Sequence, residues 1–275
     1  MRIFRNDIVP LIRETGRYAT PPSICPHPAR NGIATTLRLN WSMLRAFLTS
    51  GMAAKRGNFS WDSWIEYAGR PWVDIERLGG TIEVEGFNQL AQANLPVVYA
   101  ANHMSMLETV TLPPLLLLYG RVGIVLKKQL LDVPIAGRAF KTKPIVALGR
   151  DNPRTDLAKV LKEGTEILKS GVSLLIFPQG TRRSVFRPRQ FNSIAVKLAE
   201  KAGVPVVPIA LQCNILGVGK YTKDFGPVDI TKPMRFSCGK PMSVDKGSAK
   251  EVQKHCTDFI AGKLRQWQFP VEDGE

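Results

Sequence analysis

Residues 95–118 read LPVVYAANHMSMLETVTLPPLLLL. The apolar, β-branched run Val97–Ala101 is bounded by Pro96 and the polar pair Asn102-His103, which predicts a short buried strand. Four residues later the leucine-rich stretch Met106–Leu118 predicts a helix. A strand, a polar loop and a helix in that order form the unit of an α/β layered domain. The same rhythm runs along the rest of the chain. Further strands are expected at Thr81–Val84, Val122–Leu126, Pro144–Leu148, Val172–Phe177, Val206–Leu211 and Met234–Cys238. Helices are expected at Thr155–Ser170, Gln190–Ala202 and Ala249–Gln266. The fold class is therefore α/β, with a largely parallel central sheet flanked by helices.

The chain has 275 residues, enough for one large domain with a substantial core. Its charge is the unusual quantity: 38 Lys+Arg against 23 Asp+Glu give a formal +15. Such an excess favours anionic partners, whether nucleic acid, acidic membrane or phosphorylated substrate, without choosing among them. The four cysteines, Cys25, Cys213, Cys238 and Cys256, are scattered with no C-x-x-C. That argues against a zinc site or a disulfide scaffold and for a reducing compartment; no metal is expected. The opening MRIFRNDIVPLIRETGRYATPP is charged every few residues and does not read as a secretory signal.

Residues 1–32 are rich in Pro and Arg and are expected to be irregular, PPSICPHPARNG being the clearest loop. Residues 33–79 read as two helices. In the first, Ile33–Ala54, the polar positions Arg38, Ser42, Arg45 and Thr49 recur at helical spacing as one narrow stripe, and Leu37, Leu39, Trp41, Met43, Leu44, Phe47 and Leu48 cover the rest. No stretch is long and apolar enough to span a bilayer. This pattern suits a helix lying in a membrane interface or one packed on the domain, and periodicity does not separate the two. The second segment, Ser60–Leu78, carries a candidate cap at Ser60, and Pro71 is expected to kink or divide it. Four of the five tryptophans fall between Trp41 and Trp72, which fits an interface or a core equally. Residues 80–275 make up the α/β domain.

In parallel sheets functional residues collect beyond the carboxyl ends of strands. Two polar loops occupy such places: Asn102-His103 after Val97–Ala101, and Pro178-Gln-Gly-Thr-Arg-Arg183 after Val172–Phe177. On an unbroken helix the five-residue spacing of His103 and Glu108 would separate them by ~140°. They meet only with His103 in the turn before the helix and Glu108 in its first turns. There the carboxylate would fix the imidazole tautomer and leave the other nitrogen to take a proton. In the second loop, a glycine admits close backbone approach, and Arg182 and Arg183 offer forked donors for an anion. LGVGKYT (216–222) lacks the upstream glycine and trailing hydroxyl of a P-loop. No G-x-S-x-G elbow supports Ser105 as a nucleophile.

Taken together, these blocks resemble the glycerolipid acyltransferase family that includes 1-acylglycerol-3-phosphate acyltransferases. NHMSMLE (102–108) resembles the NH-x4-D block, with Glu108 for the usual Asp. LKKQLLDVPIAGRAFKTKPIVALGRDN puts Lys127 and Arg150 at matching basic positions. FPQGTRR (177–183) resembles FPEGTRS, with Gln179 for the usual Glu, and VPVVPIAL (204–211) resembles the fourth block.

The resemblance implies transfer of a fatty acyl group from an acyl thioester, acyl-CoA or acyl-carrier protein, to a lysolipid hydroxyl, without an acyl-enzyme or a cofactor. His103 would be the general base and Glu108 its orienting partner. Gln179, Gly180, Thr181 and Arg182, with Lys127 and Arg150, would hold the acceptor. The favoured acceptor is 1-acylglycerol-3-phosphate, giving phosphatidic acid; the Glu-to-Gln change keeps another lysolipid, such as a lyso-ornithine lipid, in view. The resemblance also makes residues 33–79 a two-helix membrane-docking motif, with Leu37, Trp41, Leu44, Phe47 and Leu48 as the lipid-facing set. It implies peripheral or monotopic attachment at the cytoplasmic face of the inner membrane.

Two other classes compete. A non-catalytic lipid-binding protein on the same fold has no need of His103. A nucleic-acid-binding protein would account for the charge, but base-reading and stacking motifs are missing and the basic residues are dispersed, so no nucleic-acid partner is expected.

Overall fold

The computed structural model describes residues 8–24, 28–219 and 224–273. Its centre is an eight-stranded sheet. In chain order the strands are β1 (Tyr18–Ala19), β2 (Ile82–Glu85), β3 (Val98–Ala101), β4 (Val122–Lys127), β5 (Ile145–Leu148), β6 (Ser173–Ile176), β7 (Val206–Gln212) and β8 (Met234–Cys238). Their order across the sheet is β1-β2-β8-β7-β3-β6-β4-β5. From β7 to β5 all neighbours are parallel. β2 and β8 are parallel to each other and antiparallel to β7, so this pair runs the other way, and the outermost β1, antiparallel to β2, runs with the centre again. The expectation of a largely parallel sheet holds, with a reversed pair that the strand list alone does not announce.

The middle strands are buried on both faces, as their unbroken apolar runs require: every residue of β3, β6 and β7 is buried. The helices that pack on them are α8 (Pro153–Lys169), α9 (Ile194–Ala202) and α10 (Ala249–Gln266), while α6 (Leu107–Leu116) and α7 (Ala136–Lys141) pack on the N-terminal helices. α8 starts where its sequence says it should. The Asn152 side chain accepts from the Arg154 and Thr155 N–H groups, and Pro153 fills the first helical position, where no donor is needed.

The described residues before 33 are less irregular than expected. A helix, α1 (Val9–Thr15), precedes the β1 edge strand, which pairs Tyr18 with Val84. Gly16 ends that helix at φ 65°, and any Cβ there would strike Asn88 in the short helix α5 (Asn88–Ala91). Tyr18 and Thr20 both donate to the buried Glu76 carboxylate, at 2.5 and 2.7 Å. Cys25 lies outside the described residues.

Residues 33–79 form three helices, α2 (Ile33–Lys55), α3 (Trp61–Ala68) and α4 (Arg70–Arg77). Ser60 caps α3 through the Ser63 N–H at 3.0 Å, and the chain divides at Gly69-Arg70-Pro71, where the ring cannot continue the ladder. Trp72 stacks on Phe236 at 5.3 Å and donates to the Thr111 carbonyl, so this tryptophan belongs to the core. α2 is both packed and exposed. Leu39, Ser42, Met43, Ala46 and Ser50 are buried on the domain side, with the Ser42 hydroxyl donating to Asp74. Thus the polar stripe read from the sequence is not a solvent face: Ser42 is buried, and Arg38 and Arg45 lie among exposed apolar neighbours.

Candidate active site

β3 ends at Ala101 and α6 begins at Leu107, so Asn102–Met106 form the connecting turn. Asn102 is structural: its Nδ2 donates to the Leu211 carbonyl at 2.9 Å and its Oδ1 accepts from the Leu211 N–H at 2.8 Å. The amide side chain thereby continues the β3–β7 ladder beyond the last strand residue and leaves the next residue, His103, to turn out of the sheet.

His103 and Glu108 meet as the turn-then-helix geometry predicts. Nδ1 of His103 lies 2.9 Å from Glu108 Oε1. The same oxygen accepts from the Met104 and Ser105 N–H groups at 2.6 and 2.7 Å, and Oε2 accepts from the Ser105 hydroxyl at 2.6 Å. A carboxylate with no solvent exposure needs such a set of donors, and its place in the first turn of α6 adds the favourable end of the helix dipole. Because an ionised carboxylate only accepts, Nδ1 carries the proton and Nε2 presents its lone pair. Among the described residues Nε2 has no hydrogen-bond partner. Ser105 is saturated: its hydroxyl lies 2.8 Å from the Cys213 carbonyl, 2.6 Å from Glu108, and accepts from the Leu107 N–H. A serine so engaged is a strut, in accord with the absence of a nucleophile motif.

The β6 loop holds His103 from the other side. Gln179 Oε1 accepts the His103 N–H at 2.7 Å, the Arg183 N–H donates to the His103 carbonyl at 3.0 Å, and the imidazole stacks on Phe177 at 4.5 Å. Both peptide groups of one residue are therefore fixed by a loop 76 positions away. Gly180 sits at φ 68°, in the left-handed region that glycine tolerates. Thr181 is exposed. Arg182 is ion-paired with Asp224 at 2.6 Å, a partner 42 residues away that no local pattern singles out.

Lys127 and Arg150 occupy the same edge of the sheet. Lys127 ends β4 opposite Leu148 of β5, and Arg150 follows two residues later at φ 68°, with its N–H on Asp156. Across β3-β6-β4-β5, strand spacing puts β4 ~10 Å and β5 ~14 Å from β3, within reach of an extended ligand.

An apolar crevice lies between α2, α3, α6 and α7. It is lined by Phe47, Phe59, Trp64, Thr109, Val110, Ala139 and Phe140, with Lys143 over the Phe59 and Trp61 rings. Thr109 and Val110 directly follow Glu108. Phe47 of the expected lipid-facing set is here: it packs on Phe140 at 6.5 Å and faces inward, while Leu48 is half-buried. Leu37, Trp41 and Leu44 do face outward, 64%, 58% and 38% exposed.

A family model described as Acyltransferase matches residues 81–212, the span that carries His103, Glu108, Lys127, Arg150 and the Gln179–Arg182 loop. Residues 81–212 are thus similar to the Acyltransferase family, in accord with the resemblance read from the sequence. It is 33% identical over 171 residues to the 1-acyl-sn-glycerol-3-phosphate acyltransferase of Pseudomonas aeruginosa, covering 62% of this chain and 64% of that protein. It is 37% identical over 139 residues to a chloroplastic 1-acyl-sn-glycerol-3-phosphate acyltransferase of Arabidopsis thaliana, covering 50% of this chain and 37% of that one. The match thus spans less than two thirds of these curated relatives. The crystal structure of a 1-acyl-sn-glycerophosphate acyltransferase from Thermotoga maritima superposes with a TM-score of 0.66 at 19% identity, over 86% of this chain and 95% of that one, and so shares the fold.

Sequence reading missed Asp224, the Gln179 tie and the inward turn of Phe47. Only the last had a local signal, its place four residues after Met43 on a face that also holds Ser50.

Proposed function

We propose that the protein transfers a fatty acyl group from an acyl thioester, on coenzyme A or on an acyl-carrier protein, to the free hydroxyl of 1-acylglycerol-3-phosphate, forming phosphatidic acid. The observation that carries this reading is the His103–Glu108 pair, in which the buried carboxylate holds Nδ1 and Nε2 is uncommitted among the described residues. Nε2 takes the proton of the acceptor hydroxyl as its oxygen attacks the thioester carbonyl carbon. The tetrahedral intermediate expels the thiolate, which takes the proton back from the imidazolium. The ester C–O bond forms, the C–S bond breaks, and no acyl-enzyme is required. The buried Glu108 carboxylate favours the transient imidazolium.

Arg182, Gly180 and Thr181, with Lys127 and Arg150 along the sheet edge, are the basic and backbone groups suited to the acceptor phosphate. Arg182 already holds Asp224, so the anion must share or displace that carboxylate. Leu37, Trp41 and Leu44 of α2, with exposed Ile33 and Met52, suit docking on a bilayer surface. Two neighbouring loops extend that apolar face. Val218 is 68% exposed on a segment tied to α2 through Asn40 and Gly226, and Ile135, itself exposed, adjoins Gly51. α2 contains Arg38, Arg45 and Lys55 and no acidic residue, which favours anionic lipid.

The test is acyl transfer from acyl-CoA and from acyl-carrier protein to a panel of lysolipids, lyso-ornithine lipid included, by wild type and His103→Ala. Transfer to 1-acylglycerol-3-phosphate that His103→Ala abolishes is expected. Near wild-type turnover in that variant would end the mechanism.

A further inference from the structure

α10 ends in a turn that sends the chain back toward the loop after β6. Gln268 takes φ 58°; its N–H donates to the Arg265 carbonyl and the Phe269 N–H to the Leu264 carbonyl, both at 2.9 Å. This pattern satisfies the last helical carbonyls, and its two apolar positions, Leu264 and Phe269, are buried. Residues 270–272 then lie alongside Phe186. The Phe186 N–H donates to the Pro270 carbonyl at 3.0 Å, and the Phe186 carbonyl accepts from the Glu272 N–H at 2.9 Å, a parallel bridge centred on Val271. Arg187 adds an ion pair, with Nε at 2.8 Å and a terminal nitrogen at 2.7 Å from one Glu272 oxygen. The Phe186 ring is buried against Phe191 at 5.8 Å, and Gln253 of α10 donates to the Phe191 carbonyl at 2.7 Å.

This contact bears on the site through Arg183, three positions before Phe186, whose N–H holds the His103 carbonyl. Residues 177–193 make a long connection between β6 and α9, and fixing only the ends of such a connection leaves its middle free to move. Here the middle is fastened twice, by Gln179 and Arg183 to His103 and by residues 270–272 to Phe186. We propose that residues 269–273 act as a strap, with Glu272 and Arg187 as positioning residues. By holding both peptide groups of Phe186, the strap keeps residues 179–183 seated on His103 and so sets how well the acceptor binds. The strap lies beyond residue 212, outside the span that the family model matches. This rests on the acyltransferase reading above and adds residues that touch neither substrate nor base. The Arg187 and Glu272 side chains are 40% and 52% exposed, and exposed pairs contribute little to global stability, so loosening the strap should act on the loop and not on the domain.

The experiment measures KM for 1-acylglycerol-3-phosphate and the melting temperature in the full chain. A purely structural strap would lower melting and the amount of active enzyme and leave KM alone, whereas a displaced loop raises KM itself. Glu272→Pro removes the N–H on the Phe186 carbonyl together with the ion pair. It should raise KM about tenfold, the factor carried by one net hydrogen bond, with near-native melting. Arg187→Glu sets a like charge against Glu272 and should raise KM about fivefold; adding Glu272→Arg restores an opposite pair and should bring KM back to within about twofold of wild type. Unchanged KM in Glu272→Pro would overturn the proposal, as would unchanged KM in Arg187→Glu should the proline variant not fold. An Arg187→Glu effect that Glu272→Arg leaves untouched would overturn the part given to the ion pair. Absence of transfer by wild type would instead remove the acyltransferase reading itself.

Discussion

Replacing Glu108 by Gln keeps the shape of the side chain and removes only its charge. The amide oxygen can still accept from His103 Nδ1, Met104 N and Ser105 N, the three donors on Oε1 in the native turn. What is lost is attraction for the imidazolium formed as the acceptor hydroxyl gives up its proton. With Nδ1 and Oε1 at 2.9 Å, the charge centres are ~4 Å apart; at an effective dielectric constant of ~20 that is ~4 kcal/mol for a full imidazolium. A proton half transferred in the transition state retains ~2 kcal/mol, so kcat should fall by ~30-fold, and by up to ~10³-fold for a late transition state. Glu108→Ala is the contrasting change: it leaves the buried Met104 and Ser105 N–H groups short of an acceptor, at ~1–3 kcal/mol each, and should lower the melting temperature markedly. The assay is release of free thiol from acyl-CoA at saturating acceptor, with thermal melts alongside. A Glu108→Gln enzyme with native melting and kcat within threefold of wild type would refute the argument, leaving Glu108 as a loop strut only.

Three further outcomes are expected. Asp at both Leu37 and Trp41 should cut sedimentation with anionic vesicles by ~10²-fold or more while leaving thermal stability intact, since each exposed apolar side chain contributes ~1.5–3 kcal/mol on burial; equal sedimentation would put the anchor elsewhere. Arg182→Lys keeps the charge but loses the fork, so use of a phosphorylated acceptor should weaken by ~1.5–3 kcal/mol, with thioester hydrolysis by water changing much less; equal losses would assign Arg182 to the loop or the donor. Glu76→Gln concerns stability: burial raises the Glu76 carboxyl above 4.5 against the pull of Tyr18 and Thr20, so the unfolded chain gives up this proton first and wild-type stability falls as pH rises from 4.5 through the raised value. The variant lacks that decline, so its melting temperature relative to wild type should climb across the window; a flat difference would mean the carboxyl titrates alike in both states.

The strands were legible because buried parallel strands are short apolar runs between turn residues, and the seven expected ones lie within a residue or so of where they are found. The His103–Glu108 pairing was legible too, since both residues belong to one local turn whose geometry a strand–helix junction dictates. Division at Pro71 and capping at Ser60 are likewise local. Local chemistry could not give the sheet order, in which β6 inserts between β3 and β4 and so brings Gln179 to His103 across 76 residues. Nor could it give the Arg182–Asp224 pair, 42 residues apart, or which way α2 turns. Leucine at 39 and leucine at 37 are the same to a periodicity, yet one is fully buried and the other 64% exposed. A helix apolar on most sides has several faces that could be buried, and only the shape of α3, α4 and α7 beneath it selects one. The elements, and the turn that joins imidazole to carboxylate, follow from local pattern; which distant groups clamp that turn does not, because contacts between segments far apart in the chain depend on packing that no local pattern encodes.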